Sequence, residues 1–161
     1  MTDLGLMNFC LGIEVWQEAG NVFISQMKYT GEILKAFGMN ECKSVGMSME
    51  VELKLSTKDT CPLADEKLYR KLVGSLIFMC NTRPDISFAV GVVSRFSNKP
   101  RENHWNAGMR ILWYLKGTQG YGIKYSMGKT LTGYCDSDWA RDVDSRRSVT
   151  RYCFSLGSGC I

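Results

Sequence analysis

The chain is poor in the groups on which several protein classes depend. It holds a single histidine, His104, so no cluster of imidazoles can carry a metal or a proton relay. Its seven cysteines (10, 42, 61, 80, 135, 153 and 160) are odd in number, scattered and never spaced Cys-x-x-Cys. That spacing excludes a zinc finger and argues against a disulfide framework, leaving reduced and mostly packed thiols as the expectation. No uninterrupted apolar run approaches the roughly 18 residues a membrane helix needs. The start, Met1-Thr2-Asp3-Leu4-Gly5, also lacks the basic-then-apolar order of a signal peptide. An intracellular location, cytoplasmic or nuclear and away from membranes, is the resulting expectation. A Gly-rich phosphate loop, an internal repeat and a low-complexity tract are absent too.

What remains is enough for one ordinary domain or two small ones: 161 residues, 45% of them hydrophobic. The net charge of +4 is unevenly placed. Residues 1–64 carry five Lys and eight acids, whereas residues 65–161 carry fifteen Lys or Arg against eight acids. A polyanion would therefore meet the second half, although solvated helix faces are the more ordinary account of such charges.

Periodicity predicts a mixed architecture. Phe9 to Trp16 alternates, Glu18-Ala19-Gly20-Asn21 offers turn chemistry and Val22 to Ile24 resumes, which reads as a β-hairpin. Tyr29, Ile33 and Phe37 recur every four residues before Gly38, the mark of a helix and its stop. Residues 40–64 show no sustained period and read as a linker, with a short extended piece at Val51 to Leu55. From Asp65, the spacing of Leu68, Leu72, Leu76 and Cys80, widened by Val73, Ile77 and Met79, predicts a helix buried on a broad face. Pro84 is placed to open a second helix, Ile86 to Phe96, whose apolar residues lie nearly all round and which should be the most buried of this half. A third helix runs from Asn103 to Lys116, with Trp105, Met109, Leu112 and Leu115 on one stripe and Gly117 as its stop. Strands follow at Gly120 to Tyr125, Leu131 to Asp138 and Val149 to Leu156.

The strand ending in Tyr134-Cys135-Asp136-Ser137-Asp138 carries the most pointed chemistry. Side chains repeat every two residues along a strand, so Asp136 and Asp138 share a face. Paired carboxylates repel unless solvated or bridged by a cation, so the face is either a metal site or a polar strand end. His104, just before Trp105, has no ligand-like neighbour in the spacing and reads as a structural or capping residue. Arg83, before Pro84, is either a phosphate contact or surface charge on a turn. Trp113 and Tyr114 lie off the main apolar stripe and are the aromatics best placed to stack on bases.

Several stretches together resemble the copia-type retrotransposon Pol polyprotein, at the end of its reverse transcriptase and the start of its ribonuclease H. They are Asp3-Leu4-Gly5 with Leu11-Gly12-Ile13-Glu14-Val15, Tyr69-Arg70-Lys71-Leu72-Val73-Gly74-Ser75-Leu76, and Thr82-Arg83-Pro84-Asp85-Ile86. His104-Trp105, Tyr114-Leu115-Lys116-Gly117-Thr118, Gly133-Tyr134-Cys135-Asp136-Ser137-Asp138-Trp139-Ala140 and Arg146-Arg147-Ser148 continue the series in the family's order. The resemblance implies an α+β fold in four parts. Residues 1–39 would be the palm end with its primer-grip hairpin and helix, 40–64 a linker, 65–118 a three-helix, thumb-like bundle, and 119–161 the first hairpin of a truncated ribonuclease H-like sheet. It further implies an RNA–DNA hybrid or template-primer duplex as partner, gripped through Arg70, Lys71, Arg83, Arg95, Arg110 and Lys116. Asp136 would be a catalytic aspartate and magnesium ligand, with Asp138 as its metal-binding neighbour.

The departures from the family are also informative. The polymerase's Tyr-x-Asp-Asp motif would precede Met1, and the remaining ribonuclease H acids would follow Ile161. Arg141 and Arg151 stand where the family usually has glycine, which suggests relaxed backbone constraint. The expectation is a Pol fragment whose two active sites are both incomplete, with the rest of the polyprotein missing and magnesium binding weakened. The alternative is a domesticated or decayed transposon remnant acting as a non-catalytic interaction or effector-like protein.

Overall fold

The computed structural model describes residues 5–128, 130–138, 143–144 and 148–161, with backbone alone at 137–138, 149 and 151. Within them the chain is α+β, with four α-helices and two antiparallel sheets. The first sheet has the order β1 (Phe9–Cys10), β2 (Ile13–Glu18), β3 (Asn21–Ser25) and β4 (Gly122–Ser126). The run expected as one strand from Phe9 to Trp16 is thus broken. Leu11 and Gly12 both adopt positive φ, +48° and +83°, and fold Cys10 back onto Ile13 in a two-residue turn of the primed kind. The second turn, at Ala19-Gly20, falls where its residues predict.

β4 closes this sheet from about a hundred residues away, with Phe23 opposite Lys124 and Ser25 opposite Gly122. Only glycine fits at 122, because a Cβ there would stand 2.1 Å from the Ile24 carbonyl oxygen. The strand expected to lead into the C-terminal hairpin is therefore bonded to the N-terminal one.

The helices α1 (Met27–Ala36), α2 (Glu66–Met79), α3 (Ser87–Ser94) and α4 (Glu102–Gly117) enclose the core. α1 ends as its sequence predicts: Gly38 takes φ +68°, Met39 N–H donates to the Leu34 carbonyl and Gly38 N–H to that of Lys35. The Asp65 carboxylate caps α2 by accepting from Leu68 N–H at 2.9 Å. The buried stripe of α2 is Tyr69, Leu72, Val73, Leu76 and Met79, rotated from the expected one, and Leu68 and Ile77 face solvent. The reason is Tyr69, which fills the core with its ring and disposes of its hydroxyl by donating to the Val93 carbonyl at 2.7 Å. α2 and α4 approach closely at Gly108, where a Cβ would sit 2.8 Å from Leu72 Cδ2. Each fully buried Leu, Ile or Val in this cluster contributes about 2 kcal/mol of transfer free energy.

Pro84 opens a 3-10 turn, Pro84–Ile86, that leads into α3. α3 buries Ala89, Val90 and Val93 but leaves Phe88 and Val92 half-buried along a groove, so it is less enclosed than its composition suggests. Residues 40–64 have no helix or strand, yet they lie against the bundle. Leu55 is buried, Met49 and Leu53 pack on the core, and Val45 N–H donates to the Trp113 carbonyl of α4.

The second sheet comprises β5 (Leu131–Asp138), β6 (Val149–Leu156) and β7 (Gly159–Cys160); the described side chains of β5 and β6 are largely exposed, whereas Gly159 is buried and Cys160 half-buried. Leu131, Tyr134, Tyr152, Phe154 and Leu156 are all open to solvent. β7 fastens this sheet to the first: the Tyr125 hydroxyl donates to the Cys160 carbonyl at 2.9 Å, and a Cβ at Gly159 would collide with the Tyr125 ring. All seven cysteines are free, as expected; Cys42, Cys61, Cys80 and Cys160 are half-buried, Cys80 against the core, while Cys10, Cys135 and Cys153 are exposed.

Candidate carboxylate strand and basic helix faces

β5 and β6 pair over eight residues in the register Tyr134 with Cys153, Asp136 with Arg151 and Asp138 with Val149. The alternation read from the sequence therefore holds, and Asp136 lies exposed in the second half of the strand. The Asp138 side chain lies outside the described residues. So do Asp3-Leu4, Trp139-Ala140, Arg141 and Arg146-Arg147. Among the described residues no three His, Cys, Asp or Glu side chains converge as metal ligands. Magnesium binds through one or two carboxylates completed by waters and substrate phosphates, so the described donors supply at most part of such a site.

The six cations expected to meet nucleic acid have different surroundings. Arg70 on α2 pairs with the Glu66 carboxylate one turn earlier, and its Nε donates to the Ser97 carbonyl at 3.1 Å. Lys71 projects over the Phe37 ring at 6.0 Å. Arg110 on α4 reaches Glu50 at 2.9 Å, tying the 40–64 segment to the helix. Lys116 is half-buried in the last turn of α4, where a cation complements the helix dipole. Arg95 lines the groove of about 430 Å³ between α3 and β6, together with Phe88, Val92, Thr150 and Tyr152.

Arg83 differs from the other five. It is 1% exposed, so it is not surface charge. Its Nε and one terminal nitrogen donate to both Asp85 oxygens at 2.9 and 2.7 Å, and the terminal nitrogens also reach the Thr118 carbonyl at 2.9 Å and hydroxyl at 2.7 Å. The guanidinium lies between the rings of Tyr114 and Tyr121 at 5.6 and 5.4 Å. Tyr114 completes the cage by donating its hydroxyl to Asp85 at 2.8 Å. Burial pushes the Asp85 carboxyl up, but the hydrogen bonds and charge of Arg83 outweigh it and hold the group below its ordinary range. A guanidinium so enclosed fastens the 3-10 turn to the end of α4 and has little left for a phosphate. Sequence reasoning missed Asp85, Thr118 and Tyr121 as its partners. The spacing Arg-Pro-Asp was the only local signal, because Thr118 is 35 residues away in the chain.

His104 is also a fastening. It is 1% exposed, its Nδ1 accepts from Arg101 N–H at 3.1 Å, its Nε2 lies 3.2 Å from the Ser56 carbonyl, and its ring stacks on Phe96 at 3.9 Å. Burial lowers its pKa, only partly offset by the Ser56 carbonyl and the Asp59 carboxylate. Of the aromatics expected to stack on bases, Tyr114 is engaged with Arg83 and Asp85, and Trp113 is half-buried.

The chain is 40% identical over 172 residues to the retrovirus-related Pol polyprotein from transposon TNT 1-94 of Nicotiana tabacum, a match that covers all of this chain and 13% of that polyprotein. It is 38% identical over 164 residues to an uncharacterized mitochondrial protein of Arabidopsis thaliana, covering all of this chain and 68% of that one. A secreted RxLR effector protein of Plasmopara viticola is 47% identical over 96 residues, which are 58% of this chain and 68% of the effector. No protein-family profile matches, and no solved structure does. The α+β chain is thus of transposon-derived class. It belongs to the copia-type retrotransposon Pol family, of which it spans a segment.

No helix among the described residues is long and apolar enough to cross a membrane.

Proposed function

We propose that the chain is the segment of a reverse transcriptase/ribonuclease H that grips a template-primer or RNA–DNA duplex and contributes one ribonuclease H aspartate, Asp136. On this reading the first sheet and α1 are the palm end, and α2 to α4 form the thumb. The β5–β6 hairpin begins the ribonuclease H sheet. β4 goes with the palm end, because it is bonded to β3. The observation that carries the reading is the 40% identity to a Pol polyprotein along the whole chain, with Asp136 exposed on its strand. Arg70, Lys71, Arg95, Arg110 and Lys116 are the proposed phosphate contacts; Arg83, enclosed as it is, acts as a positioning residue for them. Magnesium, when bound, would stabilise the attacking water and the leaving oxygen of RNA hydrolysis. Asp136 is the proposed ligand, with Asp138 beside it, and the chain alone is proposed to be inactive.

Filter binding to an RNA–DNA hybrid across a salt series tests the grip. Five phosphate contacts give a slope of log affinity on log salt of about −4.5. A slope no steeper than that of a basic control protein of equal net charge would overturn the grip, and magnesium-dependent RNA cleavage by the purified chain would overturn the inactivity. A second reading, a non-catalytic effector-like or interaction protein, is favoured by the 47% identity to the RxLR effector. It predicts binding indistinguishable from the basic control.

A further inference from the structure

The second sheet holds an arrangement that the nucleic-acid reading does not use. Cys153 in β6 and Cys160 in β7 lie on adjacent strands, diagonal to one another in a register that sets Ser155 opposite Cys160. Their sulfurs stand 3.6 Å apart. Cys153 is exposed and Cys160 half-buried, so both are within reach of a small solute.

We propose that Cys153 and Cys160 are a redox-active dithiol, a modification site at which a small-molecule disulfide drives formation of an intramolecular Cys153–Cys160 bond. The thiolate of Cys153, the more exposed sulfur, attacks one sulfur of the small disulfide, forming a mixed disulfide and releasing one small thiol. Cys160 then gives up its proton and attacks the Cys153 sulfur, releasing the second small thiol. Two electrons and two protons pass from the protein pair to the small disulfide, and no other oxidant is needed. Burial and the neighbouring Cys153 sulfur raise the Cys160 pKa, which suits it to the second, intramolecular attack, where proximity compensates for a smaller thiolate fraction.

The bond would act on the join between the two sheets. β7 has only two residues, and it carries both the Cys160 carbonyl bonded by Tyr125 and the Gly159 backbone beneath the Tyr125 ring. Beside it, Ser158 Oγ accepts from Ser126 N–H at 3.0 Å and donates to the Lys124 carbonyl at 3.0 Å. Oxidation would lock this strap onto β6, and reduction would leave it held by hydrogen bonds alone.

The test is equilibration of the whole chain in glutathione buffers of graded poise, followed by alkylation, trypsin and mass spectrometry. Cleavage after Arg151 releases residues 152–161, which contain these two cysteines and no others. The expected result is a peptide two mass units lighter that resists alkylation, formed about tenfold more readily by the native chain than in urea, because folding presets the sulfur geometry. In Cys153→Ser, Cys160 should instead be alkylated or carry one glutathione. Two glutathiones on the wild-type peptide, a Cys135–Cys153 link, or equal yield in urea would each overturn the proposal.

Discussion

Two buried polar side chains, Arg83 and His104, hold together parts of the chain distant in sequence, and both make predictions. Replacing Arg83 by alanine leaves Asp85 without its cation and empties the space between Tyr114 and Tyr121. Because the Asp85 carboxylate is about a third exposed and keeps its bond from Tyr114, the cost is below that of a fully buried pair, about 1–3 kcal/mol, to be read as a lowered midpoint in urea unfolding. Lysine should rescue only part of the loss, since it cannot satisfy Asp85 and Thr118 together. Lys71→Ala, by contrast, should leave the midpoint nearly unchanged and make the salt slope of hybrid binding shallower by about one. For His104, the folded pKa lies below the ordinary value of 6.5, so the unfolded chain binds the extra proton first. Its stabilising contribution is complete above pH 6.5 and declines as the pH falls from there through the depressed folded value. Asp85 adds a second decline, beginning as the pH falls through its ordinary 3.8. Urea titrations between pH 8 and 3 should show both steps, and His104→Ala should remove the first.

Among the elements, those governed by local pattern are legible in the residues themselves. α2, α4 and the β5–β6 hairpin lie where period and turn chemistry place them, and the cap at Asp65 and the stop at Gly38 behave as their residue types require. The illegible features depend on distant partners or unusual backbone. The break between β1 and β2 rests on Leu11 at φ +48°, a conformation leucine rarely adopts, so the alternation of side chains runs straight past it. The stripe of α2 is rotated because a tyrosine with a satisfied hydroxyl counts as core. The partner of β4 is invisible because strand pairing across a hundred residues leaves no local mark. Of the candidate site, the strand that carries Asp136 is legible from its alternation, whereas the enclosure of Arg83 is not. Gly122→Ala should test the β3–β4 seam directly. With the added methyl against the Ile24 carbonyl, overpacking of about 1–3 kcal/mol is expected, read as a lower Tm. Gly31→Ala, where nothing lies within 4 Å and the helix favours alanine, should leave stability unchanged or slightly raise it.

For the whole molecule, the distribution of buried apolar side chains sets the distribution of stability. The shared core is drawn from α1 to α4 and the 40–64 segment, while the described side chains of β5 and β6 contribute nothing to it. Native-state hydrogen exchange should therefore be slowest within residues 68–115 and fast across β5 and β6. Uniform protection would show that the second sheet shares the cooperative unit. The eight-residue outer edge of β5, unpaired among the described strands and bordered by exposed aromatics, is the surface most prone to self-association at high concentration.

The seam between β3 and β4 also sets an order of events during synthesis. The hairpin β2–β3 leaves the ribosome early, but its open edge waits for residues 122–126, and by then all four helices have emerged. Closure of the first sheet is thus a late, long-range step that proceeds on a bundle already able to fold, as topology-limited folding requires. A nascent chain stalled before Gly122 would present β3 as a bare template for any passing strand, and a chaperone that shields such edges would be needed for that interval alone.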